Sequence, residues 1–498
     1  MLFRSVFPLA RTGLILALAA GLAMPAHAQP IGIPSMGAAS GAELSPSLER
    51  TLGNAIMEQG RRSPDYVADS DINQYLTDMG RKLARHGPAM EQPITVFALR
   101  DSRINAFALP GGYIGIHSGL ITASQSESEL ASVLAHEIAH VSQRHVARGI
   151  TQSAQSNHLM IAALAGALLG ALAGSGDLAM GAAAFGQAAA VDRQLGFSRQ
   201  AEQEADRVGF EMLSKAGYEP QGMVRMFQRL ASASRLNESA TANEYASTHP
   251  LSRQRESDIQ NRVGGQPASG YVDTPSFWYV RAKLMIMQAG AGQALRGVEQ
   301  SLQSTAQQEQ DSIERSAARY GLAYIALGRK EYEQARRFLA QAGERASYRA
   351  PELDTLAISI DIAAGDRETA LATARQAWQR WPQSQGVALA YVQVLQQAGQ
   401  NEQAQRFLLQ RIEQWPDVPR LHQLLAQTYD RLGDGVKARR VMAEYYQLIG
   451  ALPTAVEQLQ QARNLTSDFY QQSELDTQIR QLRERVENER VLLERFRS

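Results

Sequence analysis

His136, Glu137 and His140 stand in the order H-E-x-x-H, and on a helix that spacing puts both imidazoles one turn apart on one face. Two ring nitrogens presented together can share a tetrahedral zinc, one ion per chain. Glu137 follows the first histidine, where its carboxylate can reach a water polarised by the metal without ligating the metal itself. The implied chemistry is hydrolysis with Glu137 as general base. The chain has nine histidines. At that frequency a chance H-E-x-x-H arises in about one such chain in a hundred. Its surroundings must therefore decide between a metal site and two unrelated histidines on an exposed helix.

The positioning helix has its own start signal. Ser126 and Glu129 have capping-box spacing, and Leu130, Val133, Leu134, Ile138 and Val141 form an apolar stripe that buries one side. A third ligand is still required. His145 lies five residues after His140, about 140° around a continuing helix. It therefore reads as a surface or packing residue. Glu202 is the better candidate. Glu202 and Asp206 are one turn apart, so Glu202 can ligate while Asp206 orients an imidazole from outside, and Glu204 points elsewhere as a solvated residue.

His249 precedes Pro250, which holds it in an extended or turn segment. Near an open metal position it would stabilise a tetrahedral intermediate or close the site as a fourth ligand; otherwise it caps a loop. Arg255 pins this loop, binds a substrate carbonyl, or forms an ordinary surface ion pair.

Upstream, helical stretches at 48–59 and 71–85 precede a β-like run at 94–99. In Asn105–Ile116 a Pro-Gly-Gly centre predicts a hairpin or paired strands. Beside a metal, such a strand binds extended polypeptide through its main chain, which makes Gly111, Gly112 and Tyr113 candidate substrate contacts; the alternative is an ordinary hairpin. The Ala/Gly/Leu-rich stretch 159–191 is interrupted by glycine and holds Asp177, so it reads as a soluble helical hairpin, either a lid or plain helix packing.

Arg4 and Arg11 precede an apolar run from Leu14 to Met24, and Ala26-His27-Ala28 offers a cleavage site, so residues 1–28 read as a signal peptide; an uncleaved anchor is the alternative. Residues 29–46 form a flexible lead. The chain has no cysteine, which excludes disulfides and thiolate ligands and is compatible with the periplasm. Fifty basic and fifty acidic residues cancel, which speaks against nucleic acid as a partner.

Past a linker at 264–276 the pattern changes. Gly365, Gly399 and Gly433 are 34 residues apart, each followed five residues later by Ala370, Ala404 or Ala438, and Pro382 and Pro416 share the period. Such a period is that of tetratricopeptide repeats, here spanning 277–467, with 468–498 as a capping helix or tail. An earlier unit has a looser turn at Gly328–Tyr332. The fold class expected is mainly α with a small β-sheet: a metallopeptidase domain at 47–263 followed by an α-solenoid that recruits a partner or substrate, or serves as a rigid spacer.

The stretches NAFALPGGYIGI, SELASVLAHEIAHVSQRH and FSRQAEQEADRVG, with Ser247-Thr248-His249-Pro250 and Arg255, resemble the gluzincin-type metallopeptidases of the β-barrel assembly-enhancing group, related to the membrane protease HtpX. The resemblance covers about residues 90–260. It implies zinc on His136, His140 and Glu202, Glu137 as general base and Asp206 in the active site. It also implies a periplasmic protease acting on outer-membrane protein assembly, with unfolded or stalled outer-membrane proteins and the assembly machinery as partners and peripheral membrane contact. The alternative is a periplasmic chaperone or adaptor whose protease is dormant.

Overall fold

Two helices and three short strands frame the H-E-x-x-H helix. In the computed structural model, residues 45–90, 92–152, 198–236, 244–264 and 269–497 are described. The expected signal peptide (1–28), nearly all of the lead at 29–46 and the apolar stretch 159–191 lie outside the described residues.

Helix α1 (Pro46–Gly60) starts at Ser45, whose side chain accepts the Leu48 N–H, and carries Pro46 in its first turn. Helix α2 (Ser70–Ala84) is capped by Asp69 on the Ile72 N–H at 3.1 Å. Its residues Ile72, Leu76, Met79 and Leu83 recur at helical spacing and all are buried. Strand β1 (Thr95–Leu99) pairs in parallel with β3 (Tyr113–His117), and β2 (Ala106–Leu109) pairs antiparallel on the other side of β3, giving the order β1-β3-β2. The β2–β3 turn is a 3₁₀ turn, Pro110–Gly112, with Gly111 and Gly112 at φ 83° and 84°, a region that favours glycine.

Strand alternation sends side chains to two different cores. Val96, Ala98, Ala106, Ile114 and Ile116 join α2 and the H-E-x-x-H helix α4 (Glu127–Ser142), which follows the short α3 (Ser118–Ala123). Phe97, Leu99, Phe107 and Leu109 face the opposite way, onto Leu52, Ile56 and Met57 of α1 and onto Leu452, Leu459, Leu475, Ile479 and Leu482 from the far end of the chain.

Helices α5 (His145–Gln152), α6 (Arg199–Lys215), α7 (Gln221–Leu236), α8 (Glu244–Thr248) and α9 (Arg253–Gly264) complete the catalytic half. The rest is a run of helices in antiparallel succession: α10 (Pro275–Ala289), α11 (Gly292–Ala306), α12 (Ile313–Gly328), α13 (Tyr332–Ala342), α14 (Pro351–Ala364), α15 (Arg367–Arg380), α16 (Gln385–Gln397), α17 (Asn401–Gln414), α18 (Pro419–Arg431), α19 (Gly435–Leu448), α20 (Leu452–Leu465) and α21 (Phe469–Arg497). Gly365, Gly399 and Gly433 each follow a helix at φ between 73° and 79°, which is why the 34-residue spacing marks glycine. In the looser turn the left-handed residue is Lys330 at φ 64°, while Gly328 still ends α12.

The array returns to the catalytic half. Gln59 donates to the Gly450 carbonyl at 2.9 Å, Arg61 to the Leu448 carbonyl at 2.7 Å, and Arg485 pairs with Glu58 at 2.8 Å. Midway, Gln74 donates to the Gln383 carbonyl and accepts from the Gln385 N–H. The change of sequence pattern at 264–276 is therefore a change of architecture, not a gap between cores: one apolar cluster runs from Val67 to Ile360 across it. Among the described residues no helix is long and apolar enough to cross a membrane.

Candidate metal centre

The α4 helix begins as its sequence demands. Ser126 Oγ accepts the Glu129 N–H at 3.3 Å, and the Glu129 carboxylate reaches back to the Gln125 N–H at 2.8 Å, one residue before the cap. Arg225 and Arg229 then pair with Glu129 and tie α7 to this end of α4. Packing by α2, α6, α7 and β2 buries α4 almost throughout. Gly209 lets α6 lie close: a Cβ there would sit 3.1 Å from the backbone of Ala135 and His136. That approach carries Glu202 and Asp206, on the first turns of α6, to the imidazoles.

His136, His140, Glu202 and His249 each offer one donor atom, all within 4.8 Å of one another, and all four residues are buried. The Nε2 atoms of His136 and His140 stand 3.0 Å apart. Glu202 lies 3.4 Å from each of these nitrogens, and its Oε1 is 3.0 Å from His249 Nδ1. Behind them, His136 Nδ1 meets Asp206 Oδ1 at 3.0 Å and His140 Nδ1 meets His145 Nδ1 at 2.9 Å. With both Nδ1 atoms engaged at the rear, the Nε2 lone pairs converge on one point beside a carboxylate, which is the donor set that suits zinc. Glu137 is buried beside this group, with its Oε1 3.5 Å from His249 Nε2.

The electrostatics follow from burial and close pairing. Burial disfavours a charged His136, yet its bonds to Asp206 and Glu202 carry its pKa up to about 9. Burial, reinforced by the neighbouring His136 and His249, pushes His140 well below the usual imidazole range, and burial also lowers His249. Burial opposes the charge on Glu202 too, but His249, His136 and His140 hold its carboxyl far below the carboxylate range. Asp206 is depressed in the same way, burial being outweighed by Arg255 and His136.

Arg255 is buried, and of the roles considered for it, pinning is the one its contacts supply. It donates to both oxygens of Asp206 at 2.7 and 2.8 Å, to the Pro250 carbonyl at 2.9 Å, and pairs with Glu202 at 2.7 Å. It thereby fixes the loop of His249 to α6; a substrate carbonyl would have to displace these partners. Gly111, Gly112 and Tyr113 are also placed differently from the expected substrate contacts. The two glycines pack on Glu49–Gly53 and on Pro93, Tyr113 donates its hydroxyl to Asn54, and β3 is paired along both sides. An added strand would need the outer edge of β2.

His145 is a packing residue and no member of the donor set, as expected, but it is brought there by a turn rather than by a continuing helix. Helix α4 stops at Ser142, Arg144 takes φ 52° and pairs with Glu49, and the chain turns back so that His145 starts α5. His145 is buried against His140, and Glu204, half-buried, is bound by His145 and Arg148. Tyr245, not singled out from sequence, stacks on His249 with ring centroids 4.6 Å apart. Its one sequence signal is the spacing of four, which places it a turn before His249.

A profile of peptidase family M48 matches residues 70–263, and one of the tetratricopeptide repeat matches residues 361–428. The β-barrel assembly-enhancing protease of Escherichia coli is 30% identical over 478 residues, covering 95% of this chain and 95% of that protein. A Vibrio cholerae protein provisionally given the same name is 36% identical over 335 residues, covering 66% of this chain and 67% of its own length. Metalloprotease LoiP of Escherichia coli is 28% identical over 224 residues, covering 44% of this chain and 82% of that protein.

Proposed function

The chain belongs to the β-barrel assembly-enhancing proteases and carries a family M48 peptidase domain, and on that premise we propose a periplasmic zinc endopeptidase that acts on unfolded or stalled outer-membrane proteins during their assembly. The observation that carries the reading is the buried convergence of His136, His140, Glu202 and His249 beside Glu137.

His136, His140 and Glu202 would hold the zinc, and Asp206 fixes the His136 ring through Nδ1. Zinc, when bound, supplies a Lewis acid that polarises the scissile carbonyl and makes water a stronger acid. Glu137 takes the proton of the attacking water and returns it to the departing amine. His249 lies against both Glu202 and Glu137, which supports its role as a fourth ligand that closes the site at rest and must withdraw before substrate enters. Arg255 and Tyr245 hold it there. An extended substrate adds to the edge of β2, the sheet edge that packs against α4.

The repeat array recruits the substrate or the assembly machinery. A cavity of about 980 Å³ supports this, since its walls combine Asp78 and Arg81 of α2 with Tyr324, Gln393, Trp415 and Arg420 of the array. Polypeptide gathered there is held against the catalytic half.

The test pairs metal analysis with cleavage of an unfolded outer-membrane protein by wild type and Glu137→Gln. One zinc per chain in both, with a loss of at least about 100-fold in cleavage for the variant, is the expected result. A metal-free wild type, or a variant that cleaves as fast, overturns the reading. If only removal of the array impairs assembly in cells, the chaperone reading replaces it.

A further inference from the structure

The two histidines of the H-E-x-x-H helix have different rear supports. His136 Nδ1 faces a carboxylate directly, Asp206 at 3.0 Å. His140 Nδ1 faces the Nδ1 of another histidine, His145, at 2.9 Å, and His145 Nε2 in turn faces Glu204 Oε2 at 3.3 Å. Both of these imidazoles are buried, and Arg148 donates to the same Glu204 oxygen at 3.1 Å.

We propose that His145 and Glu204 are positioning residues for metal binding, a relay that fixes the His140 ring and its tautomer as Asp206 does for His136. The inference rests on the zinc reading above. Only one arrangement of protons satisfies the row. His140 presents Nε2 to the metal and so carries its hydrogen on Nδ1; it donates to His145 Nδ1, which must be bare. His145 then carries its hydrogen on Nε2 and donates to the Glu204 carboxylate. The turn at Arg144, held in the left-handed region and paired with Glu49, is what brings His145 back to this place.

Substitution separates this role from simple packing. His145→Phe keeps the ring and removes the acceptor, whereas His145→Asn puts an oxygen where Nδ1 stood but packs less well. In competition with a zinc chelator, the Phe variant is expected to bind zinc about 10–100-fold more weakly than wild type. The Asn variant should recover most of that loss, and Glu204→Gln should fall between. Equal affinity of the Phe variant and wild type, or an Asn variant no better than Phe, overturns the proposal. Histidine nitrogen shifts in the zinc-loaded wild type test it without any variant: His145 should be protonated on Nε2 only, and a proton on its Nδ1 refutes the relay. A wild type that binds no zinc would sink the underlying metal reading instead.

Discussion

Replacing Arg255 with methionine removes the charge that two buried carboxylates share. The guanidinium makes two hydrogen bonds to Asp206 and forms an ion pair with Glu202 at 2.7 Å, and it is itself only 4% exposed. Methionine fills much of the same volume, so packing is largely kept while Asp206 is left with His136 alone. Breaking a buried ion pair by removing one partner costs about 3–5 kcal/mol. With an unfolding entropy of about 2.1 cal/mol/K per residue over roughly 450 residues, that is a fall of about 3–5 °C in melting temperature. The loss depends on pH. The folded pKa of Asp206 is depressed below its usual 3.8 with Arg255 the main cause opposing burial, so the stabilisation is present above about pH 4 and lost as pH falls through the folded value. Calorimetry of metal-free wild type and Arg255→Met at neutral pH and near pH 3 should show the gap narrow in acid. Saturating zinc should restore part of the loss, since the cation replaces the missing charge beside Glu202. A variant that melts within 1 °C of wild type at neutral pH, by the calorimetric criterion above, would refute the reasoning.

Four further outcomes are expected. Gly209→Val forces α6 away from the α4 backbone that now lies 3.1 Å from the missing Cβ, and should weaken zinc binding about tenfold or more by chelator competition, with the helix content of the protein unchanged. Burial, with Asp71 adding to it, pushes the Glu352 carboxyl up from 4.5 to about 8, so stability is lost as pH rises from about 4.5 to 8. Glu352→Gln, which keeps an acceptor for Ser276, should melt like wild type near pH 4.5 and above it at pH 8. Alanine at Gly365, Gly399 and Gly433 together meets no neighbour within 4 Å, so its cost is backbone strain alone, about 1–2 kcal/mol each and additive; Lys330→Gly should move the denaturation midpoint the other way.

The parts legible in sequence are those fixed by local chemistry. A cap at Ser126, an apolar stripe and a four-residue histidine spacing define α4 without reference to anything distant, and Glu202 and Asp206 share one face of α6 for the same reason. The glycines of the array are readable because each ends a helix in the left-handed region. What escaped depends on contacts between distant segments. His145 joins the site only because Arg144 leaves the helix, and that turn is held by Glu49, 95 residues away in sequence. The alternation of Phe97 and Leu99 with Val96 and Ala98 requires a cover on both faces of the sheet, but nothing local says that residues 452–482 supply one of them. Tyr113 lies in a strand that the sequence offers for main-chain pairing with substrate, yet β1 pairs in parallel beside it and makes that strand the central one.

The most direct measurement is the coordination of the metal in the purified, zinc-loaded protein, by anomalous diffraction or X-ray absorption on wild type and on His249→Ala. The expected set is His136, His140 and Glu202 with His249 as the fourth donor in wild type, replaced by solvent in the variant. A metal ligated by His145 or Glu204, or one bound away from α4, would contradict it.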